Sequence, residues 1–131
     1  MTGPVHTDLL LGDSELRQAS SASVEEIVAT LALRAPHKAY CLVEEWTIFR
    51  ADLTPEELMR VHAADHLPLI LFAHKVVVDS RARFQPGDWV RSSMCTAFDD
   101  GVMFETKNTI YVLMGSGHEQ TASLKSIFSF F

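Results

Sequence analysis

His62-Ala63-Ala64-Asp65-His66 sets two imidazoles at i and i+4 with a carboxylate between them, a spacing that on a helix lets both rings reach one ion. A third ligand is not marked by position; His74 and Asp79 are the nearest candidates. The ordinary structural account is equally direct. His62 continues the Leu58 face of a helix, and His66 sits at a helix C-terminus, where the macrodipole favours a cation. That account is preferred, so no metal and no cofactor is assigned, and His62, Asp65 and His66 are retained as candidates for an alternative function, metal-dependent hydrolysis.

Other reactive groups lack the neighbours that catalysis requires. Cys95 and Ser92-Ser93 fall in an expected strand, whereas an activated nucleophile needs an adjacent base or a helix N-terminus. Gly115-Ser116-Gly117 has neither the Lys-Ser/Thr of a P-loop nor the G-x-G-x-x-G spacing, and reads as a strand terminator. Each acid pair has a local structural role, in that Glu44-Glu45 marks a strand break, Glu56-Glu57 caps a helix and Asp99-Asp100 forms a turn. Trp46 and Trp89 sit at strand positions, where core packing is the commoner use of the ring. The chain is therefore expected not to be an enzyme.

Composition narrows the partners. The 131 residues fit one domain, and 47% hydrophobic with 21% charged residues is ordinary for a globular core. A formal charge of −6 opposes general nucleic-acid binding, which depends on basic surfaces neutralising phosphates. Arg81, Arg83 and Arg91 lie close in sequence and would have to supply any local basic patch; a small β-barrel nucleic-acid module is a second alternative built on them. Cys41 and Cys95 lie in apolar runs without C-x-x-C spacing and read as buried thiols. The first residues show no basic start followed by an apolar signal core, and no apolar run reaches the ~20 residues of a spanning helix. A cytoplasmic protein with no membrane segment is expected.

The elements follow from punctuation and period. Residues 1–21 show no sustained period and are expected to be a mobile arm, leaving 22–131 as a single α+β domain. Ser23 and Glu26 form a capping box, and Val24, Ile27, Val28 and Leu31 give the helix after it an apolar stripe as far as Pro36. Ala39 to Arg50 reads as a strand with Tyr40, Leu42, Trp46 and Ile48 on one face and Cys41, Val43 and Phe49 on the other. Thr54, Pro55 and Glu57 start a second helix, expected from Pro55 to about His66, with Leu53 packing on Leu58 as a staple. Leu69 to Val78 is too apolar for an exposed strand and is placed centrally. Pro86-Gly87-Asp88 and Asp99-Asp100-Gly101 are turns, and Trp89–Ser93, Val102–Thr106 and Thr109–Met114 form a three-stranded meander. The fold class is thus α+β: about five mostly antiparallel strands, with barrel-like closure an option, packed by two helices.

The last residues are strongly apolar. Ile127, Phe128, Phe130 and Phe131 are interface candidates, expected to dock within the domain or across a homodimer.

Several stretches carry a resemblance. WTIFRADLTPEEL, the valines before Asp79-Ser80, FQPGDWVRSS and FETKNTIYVLMGSG resemble a family of small uncharacterised bacterial and prophage-borne proteins, over about half the chain. The resemblance implies a bacterial or mobile-element origin and carries no activity or functional residue with it. The PGDWV turn and strand also look like the opening of small SH3-like barrels, and the histidine pair is similar to the inverzincin H-x-x-E-H box with Asp65 in place of Glu. By elimination, the expected function is that of a small non-enzymatic protein-binding regulator or inhibitor, phage- or mobile-element-encoded, acting on an unidentified host or defence protein or on a second copy of itself.

Overall fold

Thirteen consecutive residues from Ala39 to Ala51 form one strand, and a strand this apolar needs partners along both edges. A computed structural model describes residues 14–130, with side chains as far as Phe128. In chain order the elements are β1 (Glu15–Gln18), α1 (Val24–Arg34), β2 (Ala39–Ala51), α2 (Pro55–Ala63), β3 (Leu69–Asp79), β4 (Val90–Arg91), β5 (Ala97–Asp99), β6 (Met103–Glu105), β7 (Thr109–Leu113), β8 (Ser116–Ala122) and α3 (Leu124–Phe130). Along one edge of β2 lies β3, antiparallel; along the other lie β7 and then β8, both parallel to it. Antiparallel β6 and β5 extend the sheet beyond β7, and antiparallel β1 extends it beyond β8.

The class is α+β, as expected, but the described residues hold eight strands and three helices rather than five and two, and the sheet is mixed. Short strands β1, β4 and β5 carry too few residues to show a period, which is why pattern reading undercounts them. Of the expected arm over residues 1–21, residues 1–13 lie outside the described residues. The remainder is tied to the sheet, Glu15–Gln18 through β8 and Ser20 through a bridge to Met114.

β2 also corrects two expectations at once. Glu44-Glu45 does not split it; instead Glu45 adopts a left-handed φ of 53°, and the alternation resets across it. Cys41 and Val43 before the kink therefore share the interior with Trp46 and Ile48 after it, while Leu42 and Phe49 face outward under different helices. β2, not β3, holds the centre, because β2 is flanked by long ladders on both edges, whereas the only strand paired on the far edge of β3 is the two-residue β4.

Beyond β4 the chain keeps following β3. Ser92 donates its N–H to the Leu71 carbonyl, Cys95 donates to Leu69 and Leu67 donates to Cys95, at 2.8 to 2.9 Å. Thr96 then donates to Glu105 of β6 at 2.7 Å, so the sheet curls toward closure and is partly barrel-like. Inside the curl, Trp46, Ile48, Leu71, Phe104 and Leu113 are at most 1% exposed. Each fully buried side chain of this size contributes about 1.5–3 kcal/mol of transfer free energy.

Both turns form with the expected chemistry. Asp100 and Gly101 take φ of 54° and 68°, and Val102 donates to the Asp99 carbonyl at 2.9 Å, a type I′ turn between β5 and β6. Pro86-Gly87 forms a type II turn, with Gly87 at φ 95° and Asp88 donating to the Gln85 carbonyl at 3.0 Å. The meander is β5-β6-β7, however, because Trp89–Ser93 leaves it to line β3.

Helix α1 starts at the Ser23/Glu26 capping box and lays Ile27 and Leu31 on Leu42, Ile110 and Val112. Helix α3, unforeseen as a helix, starts where Ser123 accepts from the Ser126 N–H at 3.1 Å, and it buries Ile127 against Phe49, Ile70 and Phe72. Helix α2 has the expected Thr54/Glu57 box and Pro55 at its first turn, yet none of its residues is buried. It ends at Ala63, short of His66, because Asp65 turns left-handed at φ 60° and the His66 N–H reaches back to the Val61 carbonyl at 3.0 Å.

Candidate functional site

Val90 points into the core at 2% exposure, and its neighbours in sequence therefore point out. Trp89 is 55% exposed and its ring packs on Phe72, centroid to centroid 5.9 Å. Arg91 stands directly across the ladder from Phe72. Its guanidinium carbon lies 4.8 Å from the ring centroid of Phe128, a residue delivered from α3 and 48% exposed, in a cation–π contact. His74 completes the group with an edge-on contact to Phe72 at 4.7 Å. The row continues across the sheet in register, from Arg91 through Phe72 and Thr47 to His118.

Chemically this face offers rings with exposed edges and a cation. Among the described residues no carboxylate pairs with Arg91, so its hydrogen-bonding edge is available to a ligand. Beside the platform, Glu45, Thr47, His74 and His118 line a cleft of 340 Å³. Glu45 and Trp46 contribute to its lining, and the Trp46 indole N–H donates to the Met114 carbonyl at 3.2 Å.

A second concavity, of 880 Å³, opens where three loops meet and is lined by His37, Lys38, Arg81, Arg83 and Lys107. Arg83 is clamped by Asp79, whose side chain is fully buried, through contacts at 2.6 to 3.1 Å, and it also donates to the Thr109 hydroxyl at 2.9 Å. Burial pushes the Asp79 carboxyl up, but the hydrogen bonds and charge of Arg83 outweigh it and hold the carboxyl below its ordinary value. The guanidinium is stabilised in return and rises.

The histidine pair does not share a helix: His62 is exposed near the end of α2, which stops at Ala63, and His66 lies beyond it. Among the described residues no three His, Cys, Asp or Glu side chains come together as metal ligands. Burial pushes the Cys41 thiol up to about 12 and the Cys95 thiol up to about 11, so neither supplies a thiolate at neutral pH. Trp46 is core and Trp89 surface. The three arginines divide: Arg81 and Arg83 face the larger cleft, and Arg91 joins the aromatic face. Of the terminal interface candidates, Ile127 is buried and Phe128 half exposed; the Phe130 side chain and Phe131 lie outside the described residues.

Sequence reading misses the aromatic face as a unit. The alternation Trp89-Val90-Arg91 signals that Trp89 and Arg91 share a side, but Phe128 reaches them only through the docking of α3, which no local pattern encodes.

A family model described as a domain of unknown function (DUF6957) matches residues 18–129. No curated protein and no solved structure matches the chain. Among the described residues no helix is long and apolar enough to cross a membrane.

Proposed function

The chain belongs to the DUF6957 family, and from that premise we propose that it is a small non-enzymatic protein-binding regulator or inhibitor that works through the face of His74, Trp89, Arg91 and Phe128. The observation that carries the reading is the stacking of Arg91 on an exposed Phe128 beside an exposed Trp89. Trp and Arg are the residue types that dominate binding energy at protein interfaces, and here each is held in place by a neighbouring ring. A partner segment carrying a carboxylate flanked by an apolar side chain complements this face, the carboxylate meeting Arg91 and the apolar group covering Trp89.

The prophage-like stretches support a host protein of the bacterial cytoplasm, a defence complex included, as the partner class. The test is affinity purification from a bacterial lysate with three baits: the intact chain, Trp89→Ala/Arg91→Ala, and Leu33→Ala as an exposed control on α1. The proposal expects a protein retained by the first and third baits and lost from the second. A hot-spot loss of about 2 kcal/mol corresponds to roughly 30-fold in Kd. Equal recovery on all three baits, or none on any, would count against it.

Rings beside an arginine can also stack nucleobases, which favours the β-barrel nucleic-acid module as a second reading. Quenching of Trp89 fluorescence by a single-stranded oligonucleotide, steeply weakened by salt, would shift preference to it.

A further inference from the structure

We propose that the cleft between the α1–β2, β3–β4 and β6–β7 loops binds a small phosphorylated ligand. The chain has a net charge of −6, yet every charged side chain lining this cleft is a cation: Lys38, Arg81, Arg83 and Lys107. Two of the four are already neutralised. Lys38 pairs with Glu105 at 2.5 Å and donates to the Thr106 carbonyl at 2.9 Å, and Arg83 is held by Asp79. The remaining two are not: among the described residues neither Arg81 nor Lys107 has an ion pair, and the Arg81 guanidinium donates to the His37 carbonyl at 3.3 Å. The cleft thus carries an excess of two positive charges, matched to a phosphate dianion.

The pairing pattern also divides the labour. Lys38 and Arg83, fixed by buried or half-buried partners, shape the wall, while Arg81 and Lys107 line the cleft from two different loops with donors to spare. Between the two arginines Ala82 adopts φ 52°, a left-handed conformation that a non-glycine residue takes at a cost, and both arginines line the same cleft. Arginine presents parallel N–H donors that match phosphate oxygens two at a time, and lysine adds a point charge. A volume of 880 Å³ suits a small molecule. A polynucleotide would instead need basic surface extending past the cleft, against the charge of the rest of the chain. This inference is independent of the aromatic face.

The test is calorimetric titration of the full chain with inorganic phosphate and with pyrophosphate at low ionic strength. Saturable binding with one site per chain is expected, tighter for pyrophosphate. In Arg81→Ala/Lys107→Ala the affinity should fall on the order of tenfold or more, the loss of one or two charge-assisted hydrogen bonds. Both side chains are exposed, so the thermal midpoint of that variant should stay unchanged, and Lys125→Ala on α3 should bind as the intact chain does. No saturable binding of either anion, equal binding by the double variant, or binding only of an oligonucleotide would overturn the proposal.

Discussion

Gly117 lies where a Cβ would overlap both the indole ring and the carbonyl oxygen of Trp46. The β8 backbone therefore seals directly against the largest core side chain, and no side chain fits between them. Gly117→Ala should destabilise the protein by about 1–3 kcal/mol, since neither the ring nor the β2 backbone has room to retreat. Urea unfolding would measure it, with Gly101→Ala as a comparison in open space, strained by its φ of 68° alone. Equal midpoints for the Gly117 variant and the intact chain would refute the close approach.

Asp79 and Arg83 give the fold a pH dependence of known sign. The folded-state pKa of Asp79 is lowered, so its contribution is complete above the unfolded value of about 4 and is lost as pH falls through the folded value. Asp79→Asn should cost about 2 kcal/mol at pH 7, on the low side for a broken pair because Arg83 is 36% exposed. The gap between variant and intact chain should narrow toward pH 3. A gap independent of pH would show that the charge of Asp79 contributes nothing.

The C-terminal helix should behave as part of the domain. Ile127→Ala, emptying a fully buried position, should cost about 2–5 kcal/mol, while Phe128→Ala, half exposed, should cost far less. Removal of residues 127–131 should lower the melting temperature without changing the mass in solution. A switch from dimer to monomer on truncation would instead assign the segment to a subunit interface, and the melting temperature of the intact chain would then rise with concentration.

Both cysteines should resist modification in the folded state. With their thiols pushed up to about 12 and about 11, a thiol reagent at pH 8 should label neither until urea is added, and then both. Labelling of one thiol in the native protein would mark an opening that the packed interior does not provide.

What could be read from the chain was local. Capping boxes at Ser23 and Thr54 and the two glycine turns were legible because each is decided by three or four adjacent residues. The faces of β2 were not, since the kink at Glu45 is set by its partners: opposite it the neighbouring strand changes from β7 to β8. For the same reason Ser123 gave no warning of a helix in a segment whose only legible property was hydrophobicity. The aromatic face and the basic cleft each join elements far apart in sequence, Arg91 with Phe128 and Lys38 with Lys107, and such pairings exist only once the sheet has curled.

The position of β2 also governs the order in which the chain can finish folding. As it emerges from synthesis, β2 can take β3 as a hairpin-like partner early, but its other edge waits for β7 and β8 at the far end of the chain. Until then the strand that becomes the centre of the molecule is an open edge carrying Leu42 and Phe49 on one side and Trp46 on the other. Closure therefore rests on parallel contacts across about half of the sequence, which form slowly. A chain halted before Thr109 keeps its turns and caps and has no finished interior to enclose.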